Sequence, residues 1–303
     1  MAKVFGQRTG PANKSASHEQ IRFVKSLYAA NVRRRERLFA AEGVRLVEEA
    51  LGAGVRPELV LVSPEQLTRT SRGAALYARL KSFPWQTVTE PVLKSITDTE
   101  TPQGVVAVLP IPPLVLPTDL GPIVLILDRL RDPGNAGATL RSAVASGVSR
   151  AVAFVDSVDA YSAKVVRAAM GAHFHLTIIE DATWKSLLPI LGSRQRYLAS
   201  ATAGTDYDQV DWSRPCALIL GGEAEGAGDD AEFAANARVT IPMRGPAESL
   251  NAAIAGSILL FEAARARRTE GSASKARQFV APVITPPLRT PFARSFDRER
   301  RAP

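Results

Sequence analysis

Three stretches in the C-terminal half of the chain are apolar without alternation: IVLIL at 123–127, AVAFV at 151–155 and CALIL at 216–220. A strand with one wet face alternates polar and apolar residues, whereas a strand covered on both faces does not. Between these runs lie stretches with helical spacing, among them NAGATLRSAVASG, SAKVVRAAMGA, TWKSLLPIL and DAEFAANA. HLTIIE, YLASA and RVTIPM read as further strands, and SLNAAIAGSILLFEAARARR reads as a long closing helix. Strand and helix in alternation predict an α/β domain, a parallel sheet with helices on both faces.

The first half follows the same rule on a smaller scale. HEQIRFVKSLYAANVRRRERL has helical spacing at Ile21, Val24, Leu27 and Tyr28, and PELVLVSP and TPQGVVAVLP are strand-like. The RRRER cluster within the helical stretch reads either as a solvated face or as an RNA contact. Five prolines and a glycine in 110–122 mark a linker. The expected division is a small α/β domain at 19–110, a linker at 111–121, a larger α/β domain at 122–268, and disordered ends at 1–18 and 269–303.

Charge is concentrated at the ends. Of a net +8, residues 1–37 carry +7 and residues 271–303 carry +5, leaving the middle at −4. Basic ends suit a polyanion, most simply nucleic acid, or are solubilising tails that bind nothing specific. The one cysteine, Cys216, sits in an apolar run and can form neither an internal disulfide nor a cysteine metal cluster. His173 and His175 have no Cys, Asp or Glu at ligand spacing, so they read as packing or surface histidines and no metal is expected. No run of about 18 apolar residues is present, which predicts no membrane span. The N-terminus lacks an apolar signal core, and the cytoplasm is the default location.

Ligands of α/β proteins sit at the carboxyl ends of strands. Three stretches occupy such places. DRLRDPGNAGATLR follows the first apolar run. It lacks both G-x-G-x-x-G and G-x-x-x-x-G-K-[ST], which argues against a dinucleotide or P-loop site. Asn135 reads as the cap of a helix starting near Ala136, with Gly134 and Gly137 shaping the turn. Arg141 near a helix start opposes the helix dipole, which suggests either a phosphate grip or an ordinary exposed arginine. GGEAEGAG at 221–228 has glycines for close backbone approach, and its Glu223 and Glu225 disfavour phosphate. In IPMRGPAESLN at 241–251, Ser249 reads as the cap of the last helix, while Ile241, Met243 and Leu250 suit an aromatic ring such as adenine or plain core packing.

Together the three stretches resemble the SpoU, or TrmH, family of RNA ribose 2′-O-methyltransferases, within the SPOUT class. The first motif of that family is matched by Asn135, Gly137 and Arg141, the second by LILGGEAEG, and the third by IPMRGPAESLNAAIAGSILLFE. VVRAAMGAHFHLTI, LFAAEGVRLVEEAL and TPQGVVAV extend the likeness to about residues 30–265. The resemblance implies a parallel sheet with a C-terminal deep trefoil knot, preceded by a ribosomal-protein-like RNA-binding domain. It implies a homodimer that binds S-adenosyl-L-methionine and methylates a ribose 2′-hydroxyl in RNA, with 23S ribosomal RNA favoured over transfer RNA. It carries over Asn135 and Arg141 as catalytic residues, with Glu223, Ser249 and Asn251 in support. Thr202, Gly221, Gly222, Ile241, Met243 and Leu250 carry over as cofactor-binding positions. A non-catalytic RNA-binding protein on the same scaffold is the rival reading.

Overall fold

The computed structural model describes residues 15–113, 120–223 and 225–271. The expected disorder at the two ends and the middle of the expected linker fall on residues 1–14, 114–119 and 272–303, outside the described residues.

The first sheet contains β1 (Leu38–Glu42), β2 (Leu59–Val62), β3 (Trp85–Thr87) and β4 (Val105–Pro110), in the order β1-β4-β2-β3. β4 is antiparallel to both neighbours and β2 is parallel to β3, so this sheet is mixed. Around it lie α1 (His18–Ser26), α2 (Ala30–Glu36), α3 (Val44–Gly52), α4 (Pro64–Leu67), α5 (Ser71–Leu80) and α6 (Glu90–Ile96). Local chemistry sets these boundaries. Ser17 and Gln20 form a reciprocal capping box at the start of α1, which satisfies two amides that the helix leaves open. Gly43, at φ 100°, takes a conformation that side chains avoid and turns the chain from β1 into α3.

The second sheet contains β5 (Ile123–Asp128), β6 (Ser149–Val155), β7 (Thr177–Ala182), β8 (Gln195–Ala199), β9 (Thr205–Asp206), β10 (Cys216–Gly221) and β11 (Ala237–Thr240). Every pairing is parallel, in the order β7-β6-β5-β10-β8-β11-β9. β5 and β10 are buried along nearly their whole length, as their unalternated sequences require. The helices are α7 (Pro133–Ser146), α8 (Ala163–Ala169), α9 (Trp184–Leu191), α10 (Asp229–Ala234) and α11 (Ala252–Gly271). α7, α8 and α11 cover one face, and α9 and α10 cover the other. From β5 the order steps outward through β6 and β7, whereas β10 lies on the other flank beside β8. This reversal opens a crevice at the carboxyl ends, the usual ligand position of such sheets.

The two sheets share a continuous core, in which Phe39 and Ala41 of β1 join Tyr161 and Val165. Phe39 packs on Tyr161 at a ring-centroid distance of 5.2 Å, and Tyr161 packs on His173 at 5.1 Å. Charge completes the seam. Arg33 is 4% exposed, donates to the Leu27 carbonyl at 2.8 Å and is paired with Asp159. Arg34 reaches Asp181 at 2.7 Å and Arg37 reaches Glu180 at 2.8 Å. The RRRER cluster therefore departs from both sequence expectations. Arg33 and Arg34 are spent on acids of the second domain, which also gives the acidic middle of the chain a role.

Candidate active site

The carboxyl ends of β8, β10 and β11 and the first turns of α11 enclose a cavity of about 230 Å³. Its floor is apolar, from Leu220, Val239, Ile241, Leu250 and Leu259. Its polar edge carries Gly221, Gly222, Glu223 and Ser249, with Met243 at one side. Seven of the positions singled out in the sequence thus meet in one concavity. Thr202 is not among the lining residues; it lies in the exposed bend just past Ala201, which does line the cavity.

The loop after β10 is a closed turn. The Gly222 amide donates to the Gly226 carbonyl at 3.0 Å, and Gly226 has φ 69°. A side chain at Gly222 would start 2.4 Å from the Arg129 carbonyl oxygen, so the two strand ends touch through backbone. Asp128 pins the arrangement. It is the last residue of β5, stands in register with Gly221 and is 2% exposed. Its carboxylate accepts from the Gly228 amide at 2.7 Å and from the Trp184 indole at 2.9 Å. Sequence reasoning passed over this residue. The available signal was an acid closing a fully apolar strand, because a buried carboxylate persists only where donors meet it.

A chain of amides runs across the mouth of the cavity. The Ala253 and Ile254 amides, at the N-terminus of α11, donate to Asn251 Oδ1 at 3.0 and 3.2 Å. Asn251 Nδ2 then donates to Asn135 Oδ1 at 2.9 Å, and Asn135 Nδ2 donates to Glu223 Oε1. Each amide has one acceptor oxygen and one donor nitrogen, so the helix amides fix the orientation of every member in turn. The chain delivers two N–H donors toward Glu223 and leaves its second oxygen to the cavity. That arrangement can orient a polar substrate group and favours positive charge nearby.

Several local expectations change. Asp132, not Asn135, caps α7: its side chain accepts from the Asn135 amide at 2.7 Å, and Pro133 occupies the first turn. An Asp-Pro pair suits that junction better than an internal Asn, since proline has no amide to satisfy there. The side chain of Asn135 is thereby released for the amide chain. Gly134 and Gly137 lie inside α7 and do not shape a turn. Gly137 instead permits close helix packing, because a Cβ there would sit 2.4 Å from the Ala168 Cβ of α8. Asn251, not Ser249, caps α11, and Ser249 is left exposed at the cavity edge.

Arg141 stands apart from this cluster. It lies in the body of a 14-residue helix, past the first turn, so the expected conflict with the helix dipole does not arise. Six residues of α-helix separate it from Asn135 by about 9 Å of rise and roughly 120° of rotation. Its side chain is exposed and has no hydrogen-bond or ion-pair partner among the described residues.

The other candidate groups are structural. His173 is buried in a short 3₁₀ turn (Ala172–Phe174) and donates from Nε2 to the Ala160 carbonyl at 2.7 Å; burial pushes its pKa down to about 4. His175 pairs with Glu49 at 2.9 Å across the domain seam. Burial pushes the Cys216 thiol up to about 11, which leaves it protonated and inert. Among the described residues, no group of three or more His, Cys, Asp or Glu is placed to hold a metal ion, and no helix is long and apolar enough to cross a membrane.

Comparison with known proteins gives this geometry a context. Residues 122–261 match the model of the SpoU rRNA Methylase family, and residues 18–107 match an MRM3-like substrate binding domain. The 23S rRNA (guanosine(2553)-2′-O)-methyltransferase RlmP of Bacillus subtilis is 31% identical over 252 residues, covering 82% of this chain and 97% of the relative. The mitochondrial rRNA methyltransferase 3 of Mus musculus is 31% identical, covering 75% of this chain and 67% of the relative. The crystal structure of an AdoMet-bound rRNA methyltransferase from Sinorhizobium meliloti superposes with a TM-score of 0.69 at 30% identity, covering 83% of this chain and 96% of that one.

Proposed function

The chain belongs to the SpoU rRNA methylase family, and on that premise we propose how its site transfers a methyl group from S-adenosylmethionine to a ribose 2′-hydroxyl of ribosomal RNA. The observation that carries the reading is the meeting of the cavity with the Asn251–Asn135–Glu223 chain at one set of strand ends.

The cavity fits the cofactor chemically. Ile241, Leu250 and Leu259 offer an apolar slot for a flat heteroaromatic ring, and the backbone at Gly221 and Gly222 offers polar groups for its edges. Glu223 adds a negative charge at the rim, suited to the positive charge of a sulfonium. When bound, S-adenosylmethionine supplies an electrophilic methyl group, so the chain itself must supply alignment and a route for the hydroxyl proton. Asn135, held from both sides, orients the ribose. Arg141 grips a backbone phosphate of the RNA, a role supported by its exposed guanidinium having no partner among the described residues. Removal of the hydroxyl proton falls to that phosphate or to the arginine. Ser249 and Asn251 shape the rim, and Thr202 lies close enough in sequence to the lining residue Ala201 for a cofactor contact.

The finer architecture is part of the same proposal. The strand order, with β10 lying between β5 and the earlier β8, supports a chain that threads a deep trefoil knot. The mixed sheet at 19–110 serves as a ribosomal-protein-like RNA-binding domain, 111–121 as the linker and 122–268 as the methyltransferase domain. Ile254 and Phe261, 52% and 49% exposed on α11, support a homodimer formed through that helix. The cytoplasm is the proposed compartment. Asn135→Ala tests the assignment: methyl transfer is expected to be lost while S-adenosylmethionine still binds. Normal turnover in that variant removes Asn135 from the mechanism.

A further inference from the structure

A second concavity lies on the first domain, away from the methyl-transfer cavity. It measures about 590 Å³ and opens between α3, the α4–α5 region, α6 and the segment before β4. That volume falls in the range of roughly 300–1,000 Å³ typical of sites for small molecules or single nucleotide-sized groups. Its rim carries Arg45, Arg69, Arg72 and Lys94 against Glu90 and Glu100. Arg69 is paired with Glu90 at 2.8 Å and Arg72 with Glu48, so both are partly neutralised. Arg45 and Lys94 are exposed and have no hydrogen-bond or ion-pair partner among the described residues. The buried Gln66 Oε1 at this cavity also lacks a hydrogen-bond partner, although its amide nitrogen is engaged by the Pro102 carbonyl at 2.6 Å.

A smaller cavity of about 190 Å³ adjoins the first and shares Arg45, Thr101 and Gln103 with it. It crosses the domain seam to Arg167 and Met170, at the end of α8. α8 packs directly on α7 through Gly137, and α7 carries Asn135 and Arg141. The two cavities therefore form one groove, leading from the first domain to the helix pair beside the methyl-transfer site.

We infer that this groove is the track for a single-stranded segment of the RNA substrate, with Arg45 and Lys94 holding its phosphates and the larger cavity receiving a splayed base. Unpaired cations along the rim supply the phosphate contacts. Amide, hydroxyl and carboxylate groups inside suit base edges, which single-stranded RNA exposes. The exposed Met170 gives an apolar surface at the crossing between domains. The inference rests on the reading of the chain as an rRNA methyltransferase and extends it by naming the surface that selects the substrate.

The test uses the full chain with 23S rRNA transcribed in vitro. Binding is measured across a salt series, and KM for the RNA is measured in the transfer assay. The Arg45→Glu/Lys94→Glu variant is expected to raise KM for RNA at least about tenfold and to lower the salt-dependence slope by about 1.5–2, close to one unit for each lost phosphate contact. Its affinity for S-adenosylmethionine is expected to match the wild type, which also reports an intact fold. Lys81→Glu, a charge reversal that lines neither cavity, controls for net charge and is expected to leave the slope unchanged. A wild-type slope and KM in the double variant overturns the inference, as does an equal loss in the control. If the wild-type protein transfers no methyl group to RNA, the functional reading fails instead, and the binding slopes still decide the groove.

Discussion

Replacing Asp128 with asparagine is expected to loosen the loop over the cofactor cavity while sparing the sheet beneath it. The buried carboxylate takes one N–H from Gly228 and one from Trp184. An asparagine of the same shape has one acceptor oxygen and one donor nitrogen, so whichever way it turns, a donor faces a donor. The loss of one hydrogen bond to a charged group costs about 1.5–3 kcal/mol, and relief of carboxylate desolvation offsets part of it. A net effect of about 1–2 kcal/mol, felt where the 221–228 loop closes, weakens S-adenosylmethionine binding by roughly five- to thirtyfold. Trp184→Phe separates this local effect from general destabilisation. It removes the indole donor on the α9 side, keeps most of the ring packing and leaves the Gly228 bond intact. Its cost of about 1–3 kcal/mol should appear in thermal unfolding, with cofactor affinity within about threefold of wild type. Calorimetric titration with S-adenosylmethionine and a melting curve on both variants check the pair. Unchanged cofactor affinity in Asp128→Asn, or an equal loss in Trp184→Phe, refutes the reasoning.

The other expectations concern packing, chemistry and pH. Gly137→Ala forces a Cβ into the Ala168 and Ala169 region of α8, an overpacking of about 1–3 kcal/mol, and should lower Tm by several degrees. Asn135→Ala cuts the amide chain between Asn251 and Glu223, and single-turnover transfer should slow by about a hundredfold or more, with cofactor affinity within a few fold. His173 takes up a proton more readily when unfolded, because its folded pKa is lowered from 6.5 to about 4. Its contribution to stability is therefore complete above about pH 6.5 and falls away as pH drops toward 4, by up to roughly 3 kcal/mol. His173→Gln should flatten that part of the stability–pH curve, and a curve as steep as wild type counts against the assignment.

The parallel sheet was legible because β5, β6 and β10 are buried on both faces and must read as unbroken apolar runs. The gathering of Gly221, Gly222, Glu223, Ile241, Met243, Ser249 and Leu250 followed from the rule that ligands sit at carboxyl strand ends, together with the resemblance of the motifs. The roles of individual residues were less legible. Asp132 and Asn135 are both good caps, and only the placement of Pro133 decides between them. Gly137 looks like a turn glycine until the path of α8 is known. Arg33 and Arg34 look like solvent or RNA contacts because their partners, Asp159 and Asp181, lie more than a hundred residues away. Asp128 was overlooked because its donors, Trp184 and Gly228, come from two remote segments. Pairings across such distances leave no local pattern in a single sequence.

The most direct test of the central claim supplies methyl-labelled S-adenosylmethionine and ribosomal RNA that lacks the modification, then follows the label through alkaline hydrolysis. A 2′-O-methyl group blocks cleavage of the adjoining phosphodiester. The account therefore predicts that the label appears in alkali-resistant dinucleotides, and that Asn135→Ala abolishes it. Label recovered in mononucleotides as a methylated base, or no label with the wild-type protein, contradicts the account.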